Sequence, residues 1–313
     1  MFKLIKSNFG QFKSTTILNN NLGIQLEIIQ DFGAIINKYK VHHSPFSFIK
    51  GYQDSDDLIK SHPFFSRSAK LFPFPNRLNS GRYTYKQQTY TLAANFPWSD
   101  HAVHGLLYNQ PFELITYETT DDHAEAVFRF ETTKLDDGFP FAFRVDVCYR
   151  IDSHGILSCN TIITNLGTEH FPFGDACHPY FSLGCELEQC QLTMSPHREL
   201  QHEHDLPTGV LVKSNAFSAP TSLKGLNLNH CYQFSDPSKQ TLMLERSDKG
   251  AALRFQQNEG YSFVQLYTPQ SESSIAIEPM TCPADAFNNQ IGLLELAPDE
   301  SMQFGWQCQA YFG

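Results

Sequence analysis

The sequence predicts an all-β protein, a large antiparallel β-sandwich or barrel. Apolar and polar residues alternate with a period of two along many segments, and Gly and Pro (18 and 17 residues) separate these segments. No stretch shows a helical period over three turns, so only two short helices are predicted, near Phe64–Lys70 and Ala284–Asn289. We find no linker, repeat or low-complexity tract, and residues 1–313 are therefore predicted to form a single domain.

The clearest strand covers Phe141–Ile151, in which every second residue is apolar. Asp136-Asp137-Gly138 precedes it and is a hairpin-turn signal, so this strand is expected to pair with one around Ala126–Thr132. The same alternation returns over Met302–Phe312. Shorter strands are predicted at Leu22–Ile29, Thr89–Leu92, Phe112–Glu118, Leu157–Asn165, Leu242–Glu245, Tyr261–Thr268 and Ser274–Glu278. Because sheets of this size curve, a concave face is expected to form a groove.

Composition and charge exclude several classes of function. Hydrophobic residues make up 41% of the chain and charged residues 18%, which is typical of a globular protein and not of a disordered one. The formal net charge is −10 without a basic block, so binding to nucleic acid or to an anionic membrane is not expected. No run approaches the roughly 18 apolar residues of a membrane helix.

The cysteines and the first residues indicate a cytoplasmic protein. The segment Met1–Gly10 has two lysines but no apolar stretch after them, unlike a signal peptide. The eight cysteines are scattered and include no CxxC pair, so we expect reduced thiols that mostly act as small buried hydrophobic residues. The sequence is compatible with a monomer or a homodimer.

An irregular turn rich in aromatic residues carries the first candidate site residues. The prolines of Phe72–Pro75 forbid a regular central strand, so Asn76 and Arg77 fall on a turn. Arg77 either pairs with a surface carboxylate or directs its fork of donors at ligand oxygens. Lys70 and Arg82 are near this turn in sequence and would favour a phosphate group if they faced the groove.

Two histidine segments follow. His104 precedes Gly105, which lets a ligand or another backbone segment come close, and His104 is either a structural or a catalytic histidine. His178 precedes Pro179, which biases its backbone towards extended geometry. Asp175, three residues upstream, could orient the imidazole of His178 or cap a turn.

Glu278 is the candidate general base. If Ile275 and Ile277 enter the sandwich core, Glu278 lies on the opposite face of the strand, where the groove is expected. Pro279 is predicted to end the pairing and to leave the carboxylate at a strand end. Partial desolvation would raise the pKa of Glu278 and make it a usable base near neutral pH, whereas the alternative is a solvated glutamate at a strand end.

In this order, the segments resemble the aldose 1-epimerase (galactose mutarotase) family. Leu71–Gly81 looks like the family's Asn-Arg segment, and Val103–Gly105 and His178–Leu183 are similar to its two histidine motifs. Ile277–Thr281 resembles its catalytic-glutamate segment. The resemblance implies the galactose mutarotase-like β-sandwich of twisted antiparallel sheets, with a sugar groove on the concave side.

The resemblance also implies the roles of individual residues. Glu278 would take the proton from the C1 hydroxyl of an aldose, and His178 would protonate the ring oxygen, so that the ring opens and recloses as the other anomer. His104 would be a further catalytic residue, and Asn76 and Arg77 would bind the substrate. No metal or redox cofactor is required, and the expected partner is a monosaccharide.

One position departs from the family pattern. The family usually places an aspartate that binds sugar hydroxyls before an aromatic strand residue, and Asn229 stands at that position in Leu226–Tyr232. Asparagine can still hydrogen-bond a hydroxyl, but as a neutral group. We therefore expect Asn229 within hydrogen-bond reach of a bound sugar, opposite Arg77.

The sequence leaves two alternatives to a mutarotase of free aldoses. The first is a non-catalytic carbohydrate-binding or regulatory module on the same fold, since fold does not fix function. The retention of both Glu278 and His178 argues against it, because binding alone needs no acid and base. The second is a sugar-phosphate mutarotase, which would need Lys70 or Arg82 to face the groove.

Overall fold

The computed structural model describes residues 1–258, 260–270 and 273–313. In these ranges the α-helices are α1 (Ser55–Phe65) and α2 (Ala286–Asn289). The strands are β1 (Lys3–Phe9), β2 (Phe12–Asn19), β3 (Ile24–Ile29), β4 (Ile35–Lys40), β5 (Lys70–Leu71), β6 (Arg77–Leu78), β7 (Arg82–Tyr85), β8 (Gln88–Thr91), β9 (Ala102–Val103), β10 (Glu113–Thr119), β11 (His123–Thr132), β12 (Phe143–Asp152), β13 (Ile156–Asn165), β14 (Phe171–Phe173), β15 (Ala176–Cys177), β16 (Tyr180–Phe181), β17 (Cys190–Met194), β18 (His197–Glu203), β19 (Leu206–Ser214), β20 (Thr221–Ser222), β21 (Asn229–Phe234), β22 (Thr241–Arg246), β23 (Ala251–Gln257), β24 (Phe263–Tyr267), β25 (Ile275–Met280), β26 (Leu294–Leu296) and β27 (Ser301–Phe312).

Two large antiparallel sheets form the sandwich. One has nine strands in the order β10-β11-β12-β13-β27-β23-β22-β17-β20. The other has eight, in the order β19-β18-β21-β24-β25-β15-β5, with β16 also paired to β25. A four-stranded sheet (β1-β2-β3-β4) and three two-stranded pairs complete the described structure. The predicted all-β, antiparallel class is confirmed, and no helix in the described ranges is long and apolar enough to span a membrane.

The predicted hairpin is present. β11 and β12 pair from His123 opposite Asp152 to Thr132 opposite Phe143, with Asp136-Asp137-Gly138 in the connection. The strand begins at Phe143, two residues later than predicted, although Phe141 is buried just before it. The even-numbered residues of β27 from Phe304 to Ala310 are buried, which agrees with the predicted apolar face.

The hydrophobic core lies between the two large sheets. Phe128 and Val145 enter it from the nine-stranded sheet, and Leu266, Ile275 and Ile277 enter it from the eight-stranded sheet. The opposite face of the eight-stranded sheet carries a smaller apolar cluster that includes the side chains of Leu200, Phe263 and Met280. Glu278 is on that second face, because side chains alternate along β25.

The first predicted helix was misplaced. Residues 66–70 are not helical, and α1 precedes them. α1 begins after Asp54, whose carboxylate accepts hydrogen bonds from the N–H groups of Asp56 and Asp57 at 3.0 and 2.8 Å. It ends where Ser66 takes a left-handed backbone conformation (φ 48°). Asp54 and the acidic first turn were the sequence signal for this start.

The prediction that Pro279 ends the pairing of its strand is wrong. β25 continues to Met280, with Val264 opposite Pro279 and Phe263 opposite Met280. Proline has no N–H to donate to a neighbouring strand. On the side of β25 away from β24, the pairing is interrupted between β15 and β16, so the missing donor is tolerated. His178 occupies this interruption, directly across from Glu278.

Candidate active site

A cleft of about 400 Å³ opens on the second face of the eight-stranded sheet. This volume is within the usual range for small-molecule sites. Aromatic side chains form part of its wall, among them Phe64, Trp98, Tyr180 and Tyr267. All six predicted site residues also line the cleft, namely Asn76, Arg77, His104, His178, Asn229 and Glu278.

Glu278 and His178 face each other at the bottom of the cleft. The Nε2 atom of His178 lies 3.4 Å from Oε1 of Glu278, and both side chains are almost fully buried. The His178 backbone is fixed by its N–H, which donates to the Ala69 carbonyl at 3.0 Å, and by its carbonyl, which accepts from the Ser68 N–H at 2.8 Å. The ring of Tyr180 stacks on the imidazole at a centroid distance of 5.0 Å. His178 is therefore held in a fixed position next to the carboxylate.

Burial governs the protonation of this pair. It raises the pKa of the Glu278 carboxyl well above its usual value and lowers the pKa of the His178 imidazole to about 3. Both shifts favour the uncharged forms, so the pair holds one proton over a wide pH range. Oε2 of Glu278 and Nδ1 of His178 have no protein hydrogen-bond partner among the described residues. Buried polar atoms without a partner are uncommon in folded proteins, which marks the pair as a candidate functional group.

His104 is held in a defined tautomer. The N–H of Asn76 donates to Nδ1 of His104 at 3.3 Å, and the N–H of His104 donates to the Asn76 carbonyl at 2.8 Å. Nδ1 is therefore an acceptor, and Nε2 carries the hydrogen. A Cβ atom on Gly105 would lie 2.2 Å from the Phe72 carbonyl oxygen, so the glycine admits a backbone segment there. The His104 ring meets the His178 ring edge to face at 5.2 Å.

Arg77 lies at the rim of the cleft and forms the pair with a surface carboxylate that was one of its two predicted roles. Its Nη1 donates to Oδ1 of Asn76 at 3.2 Å, and its Nη2 lies 3.3 Å from Oδ2 of the exposed Asp205. The guanidinium is also 5.5 Å from the centre of the Trp98 ring. Arg77 thus pairs with a surface carboxylate while it lines the cleft.

Asn229 lies on the side of the cleft formed by β21 and β24. Its Oδ1 accepts a hydrogen bond from Nε2 of Gln265 at 2.8 Å, which leaves the Asn229 amide group as a donor. Gln265 is buried, lines the cleft and stands opposite Glu278 in the strand register. Sequence reasoning missed Gln265, because only the register of β24 against β25 places it beside the carboxylate.

Neither role considered for Asp175 is found. Oδ2 of Asp175 accepts hydrogen bonds from Nζ of Lys70 and from the Tyr261 hydroxyl, both at 2.6 Å, inside the sandwich. Nζ of Lys70 also donates to the Thr161 hydroxyl at 2.8 Å. Lys70 is therefore buried in an ion pair and does not face the cleft, and Arg82 does not line it. Among the described lining residues, Arg77 is the only side chain with a fixed positive charge.

A third buried histidine lies behind the site. His62 of α1 is almost fully buried, and its Nδ1 lies 2.8 Å from the Tyr52 hydroxyl. Burial, reinforced by His178, lowers the pKa of His62 to about 3, and burial also lowers the pKa of His104 well below its usual value. The folded protein thus keeps three neighbouring imidazoles neutral. These groups were not predicted to act together.

We expect the protein to lose stability steeply in mild acid. An unfolded histidine takes up a proton below pH about 6.5, whereas His62, His104 and His178 stay neutral when folded, so their contribution is lost as pH falls. The raised pKa of Glu278 acts in the opposite direction. For these four groups alone the net difference near pH 5 is about two protons, which corresponds to about 3 kcal/mol per pH unit. Burial also lowers the pKa values of His197 and His202, which act in the same direction.

Urea unfolding between pH 7 and pH 5 measures this slope. The variant His62→Gln should take up about one proton fewer on unfolding than the parent, which lowers the slope accordingly. The variant His154→Gln, at an exposed position, should have the slope of the parent. An unfolding free energy that is constant from pH 7 to pH 5 would contradict the expected burial of neutral imidazoles.

The described residues combine a large antiparallel β-sandwich with a buried histidine–glutamate pair at the bottom of a cleft. The sequence profile of the aldose 1-epimerase family matches residues 15–309. The chain belongs to the aldose 1-epimerase family, and the family predicted from the sequence is thereby confirmed.

Similar proteins agree with this assignment at the level of the fold. The uncharacterized protein YihR of Escherichia coli strain K12 is 27% identical over 234 residues, which cover 72% of this chain and 73% of YihR. A galactose mutarotase-like protein from Clostridium acetobutylicum has a TM-score of 0.88 at 19% identity, with 100% of this chain and 99% of that chain covered. For galactose 1-epimerase from Lactobacillus acidophilus NCFM the TM-score is 0.81 at 16% identity, with the same coverage. The predicted galactose mutarotase-like sandwich is confirmed.

Proposed function

We propose that the protein is a cytoplasmic aldose 1-epimerase that interconverts the α and β anomers of a free aldose. The observation that carries this proposal is the contact of 3.4 Å between Nε2 of His178 and Oε1 of Glu278 at the bottom of the cleft. Ring opening needs one group that accepts a proton and one that donates a proton within reach of the same sugar. The pair provides both, and each member keeps one polar atom without a hydrogen-bond partner in the described part of the chain.

In the proposed reaction, Glu278 accepts the proton of the C1 hydroxyl while His178 donates a proton to the ring oxygen. The C1–O5 bond breaks, and its electron pair becomes part of the new hydroxyl on C5. The C1 aldehyde then turns about the C1–C2 bond. In reclosure the C5 hydroxyl returns its proton to His178, and Glu278 returns its proton to the C1 oxygen, so the site is regenerated.

The reactive form of the pair carries its single proton on His178. Because burial disfavours both charges, most of the singly protonated pair instead holds the proton on Glu278. In the reactive form, the ionised carboxylate of Glu278 is a strong base and the imidazolium of His178 is a strong acid. This high reactivity offsets the small fraction of the pair that is in the reactive form. The two pKa values belong to the pair as a whole.

The remaining cleft residues are proposed to hold the sugar. Nε2–H of His104, the Arg77 guanidinium and the Asn229 amide are donors around the cleft, and the Asn76 side chain orients Arg77. A sugar phosphate is less well supported, because Lys70 is buried in its ion pair with Asp175.

Anomerically pure aldoses, free and 6-phosphorylated, test the proposal. Polarimetry or NMR should show that at least one free sugar equilibrates faster than in buffer alone. If every sugar equilibrates at the buffer rate while calorimetry still detects binding, the protein is a carbohydrate-binding module instead.

Substitutions of His178 and of Arg77 should affect kcat and KM differently. His178→Asn is expected to lower kcat by about 10²–10⁴ with little change in KM, because protonation of the ring oxygen occurs in the transition state. Arg77→Ala should raise KM as well as lower kcat, because a hydroxyl ligand acts in both the ground state and the transition state. Steady-state polarimetry separates the two parameters.

The exposed His154→Asn is the matched control and should behave like the parent protein. A His178→Asn variant with the parent kcat would remove His178 from the acid role and leave His104 as the candidate.

A further inference from the structure

Arg77 forms an ion pair with an aspartate of a neighbouring loop. Its Nη2 lies 3.3 Å from Oδ2 of Asp205, its Nη1 donates to Asn76, and one face of the guanidinium is near the Trp98 ring. The side chain of Arg77 is only 17% exposed, whereas that of Asp205 is 60% exposed. The guanidinium is thus confined at the rim, and the carboxylate approaches it from solvent.

A tight hairpin presents Asp205. β18 and β19 pair up to Glu203 opposite Leu206, so His204 and Asp205 form a two-residue turn. Both turn residues have positive φ, 50° and 64°. This is the backbone pattern of the turns that favour Asn, Asp and Gly, and it fixes the direction of the loop relative to the strands. Asp205 therefore stands at a defined position over the rim.

The charges around the cleft are few. Arg77 is the only fixed positive charge among the described lining residues, and Glu278 is the only carboxylate. Asn229, which also lines the cleft, is neutral. An anionic group on a ligand would find Arg77 already paired, and it would have to lie beside the Asp205 carboxylate to reach it.

We propose that Asp205 is a specificity-determining residue that makes the cleft select uncharged sugars over sugars with a phosphate or carboxylate group. It occupies a donor of Arg77 and repels a second anion at the same place. The hydroxyls of an uncharged sugar can still bind the remaining donors of the guanidinium, which has five N–H groups in all. This inference rests on the proposed epimerase function.

The test uses Asp205→Asn, which keeps the side-chain shape and removes the charge. The measured quantity is kcat/KM for a hexose 6-phosphate divided by kcat/KM for the same free hexose, at low ionic strength. We expect this ratio to rise about three- to tenfold, the size that one exposed charge pair permits. The rise should shrink in 0.15 M salt, because the pair is solvent-exposed.

Glu203→Gln is the matched control. Glu203 is an exposed carboxylate two residues before Asp205 on the same hairpin, and its removal changes the net charge equally. The ratio should stay at the parent value in this variant. An equal rise in both variants would show that the change in net charge, and not the loss of the Asp205–Arg77 pair, alters the ratio. That result would overturn the proposal. An unchanged ratio in Asp205→Asn would overturn it as well.

Binding measurements keep this inference separate from the proposed activity. If the parent protein turns over neither sugar, the epimerase proposal fails, and calorimetric titration with the same two sugars gives the affinity ratio instead. A selective gain of about three- to tenfold in affinity for the 6-phosphate in Asp205→Asn would still support the role of Asp205. Equal affinities in parent and variant for the phosphorylated sugar would reject it.

Discussion

The variant Glu278→Gln is expected to lower kcat/KM for anomer interconversion by about 10²–10⁴, the usual loss when a general base is removed. Glutamine keeps the shape of the side chain and its hydrogen-bonding capacity, but it cannot accept the C1 hydroxyl proton. The protein should fold at least as stably as the parent at neutral pH, because a buried carboxyl with a raised pKa is replaced by a neutral amide. Polarimetry and urea unfolding on the same preparation measure both effects.

The pH profile gives a second readout of the same assignment. The active state has one proton on the His178–Glu278 pair, so activity should fall as pH rises through the raised pKa of Glu278. It should also fall as pH drops towards the lowered pKa of His178, about 3, unless acid unfolding occurs first. The variant Glu278→Gln lacks this carboxyl, so any residual activity should not fall with pH at the raised pKa of Glu278. A variant that turns over sugar at the parent rate would show that another group is the base.

The second large effect concerns stability. Asp175→Asn is expected to lower the free energy of unfolding by about 3–5 kcal/mol, because it leaves the Lys70 ammonium buried without its counter-ion. Burial opposes the charge on Lys70, but Asp175 and neighbouring thiols outweigh it and raise the pKa of Lys70. The Tyr261 hydroxyl and the Thr161 hydroxyl complete the network.

A double variant separates the charge from the packing. Lys70→Met combined with Asp175→Asn removes both charges and keeps an acceptor for Tyr261, so it should be more stable than Asp175→Asn alone. Asp236→Asn is the surface control, since Asp236 lies 3.6 Å from Lys239 in solvent and should contribute less than about 1 kcal/mol. Equal losses from Asp175→Asn and Asp236→Asn would contradict the buried ion pair.

The predicted strands coincide with eight of the seventeen strands that the described residues form in the two large sheets, whereas strands such as β18, β21 and β23 were not predicted. The β11–β12 hairpin and the apolar face of β27 follow from local pattern, because a half-buried strand must alternate. The errors came from treating single residues as decisive. Pro279 was expected to end its strand, but the interruption of the neighbouring chain at His178 accommodates it. That interruption is a property of the tertiary structure and has no local signal.

The candidate site was predictable only as separate motifs. Each of the six residues could be named from the sequence, and the resemblance to one family supplied the reason to group them. Gln265 and Asp205 could not be found in this way. Gln265 is beside Glu278 because of the register of two strands, and Asp205 reaches Arg77 because of a hairpin whose direction depends on two positive φ angles. The first contact depends on the register of two consecutive strands and the second on segments far apart in sequence, and neither has a local signal.

The position of β27 bears on how the protein is synthesised. β27 (Ser301–Phe312) lies between β13 and β23 and pairs with both. On the ribosome, every other strand of the nine-stranded sheet is made before it. Until residues 301–312 emerge, the nascent chain has two half-sheets, each with an unpaired inner edge that can associate with other chains. The sheet can therefore close only after the last of its strands in chain order has been made, and chaperones that shield strand edges should bind translation products that stop before residue 301.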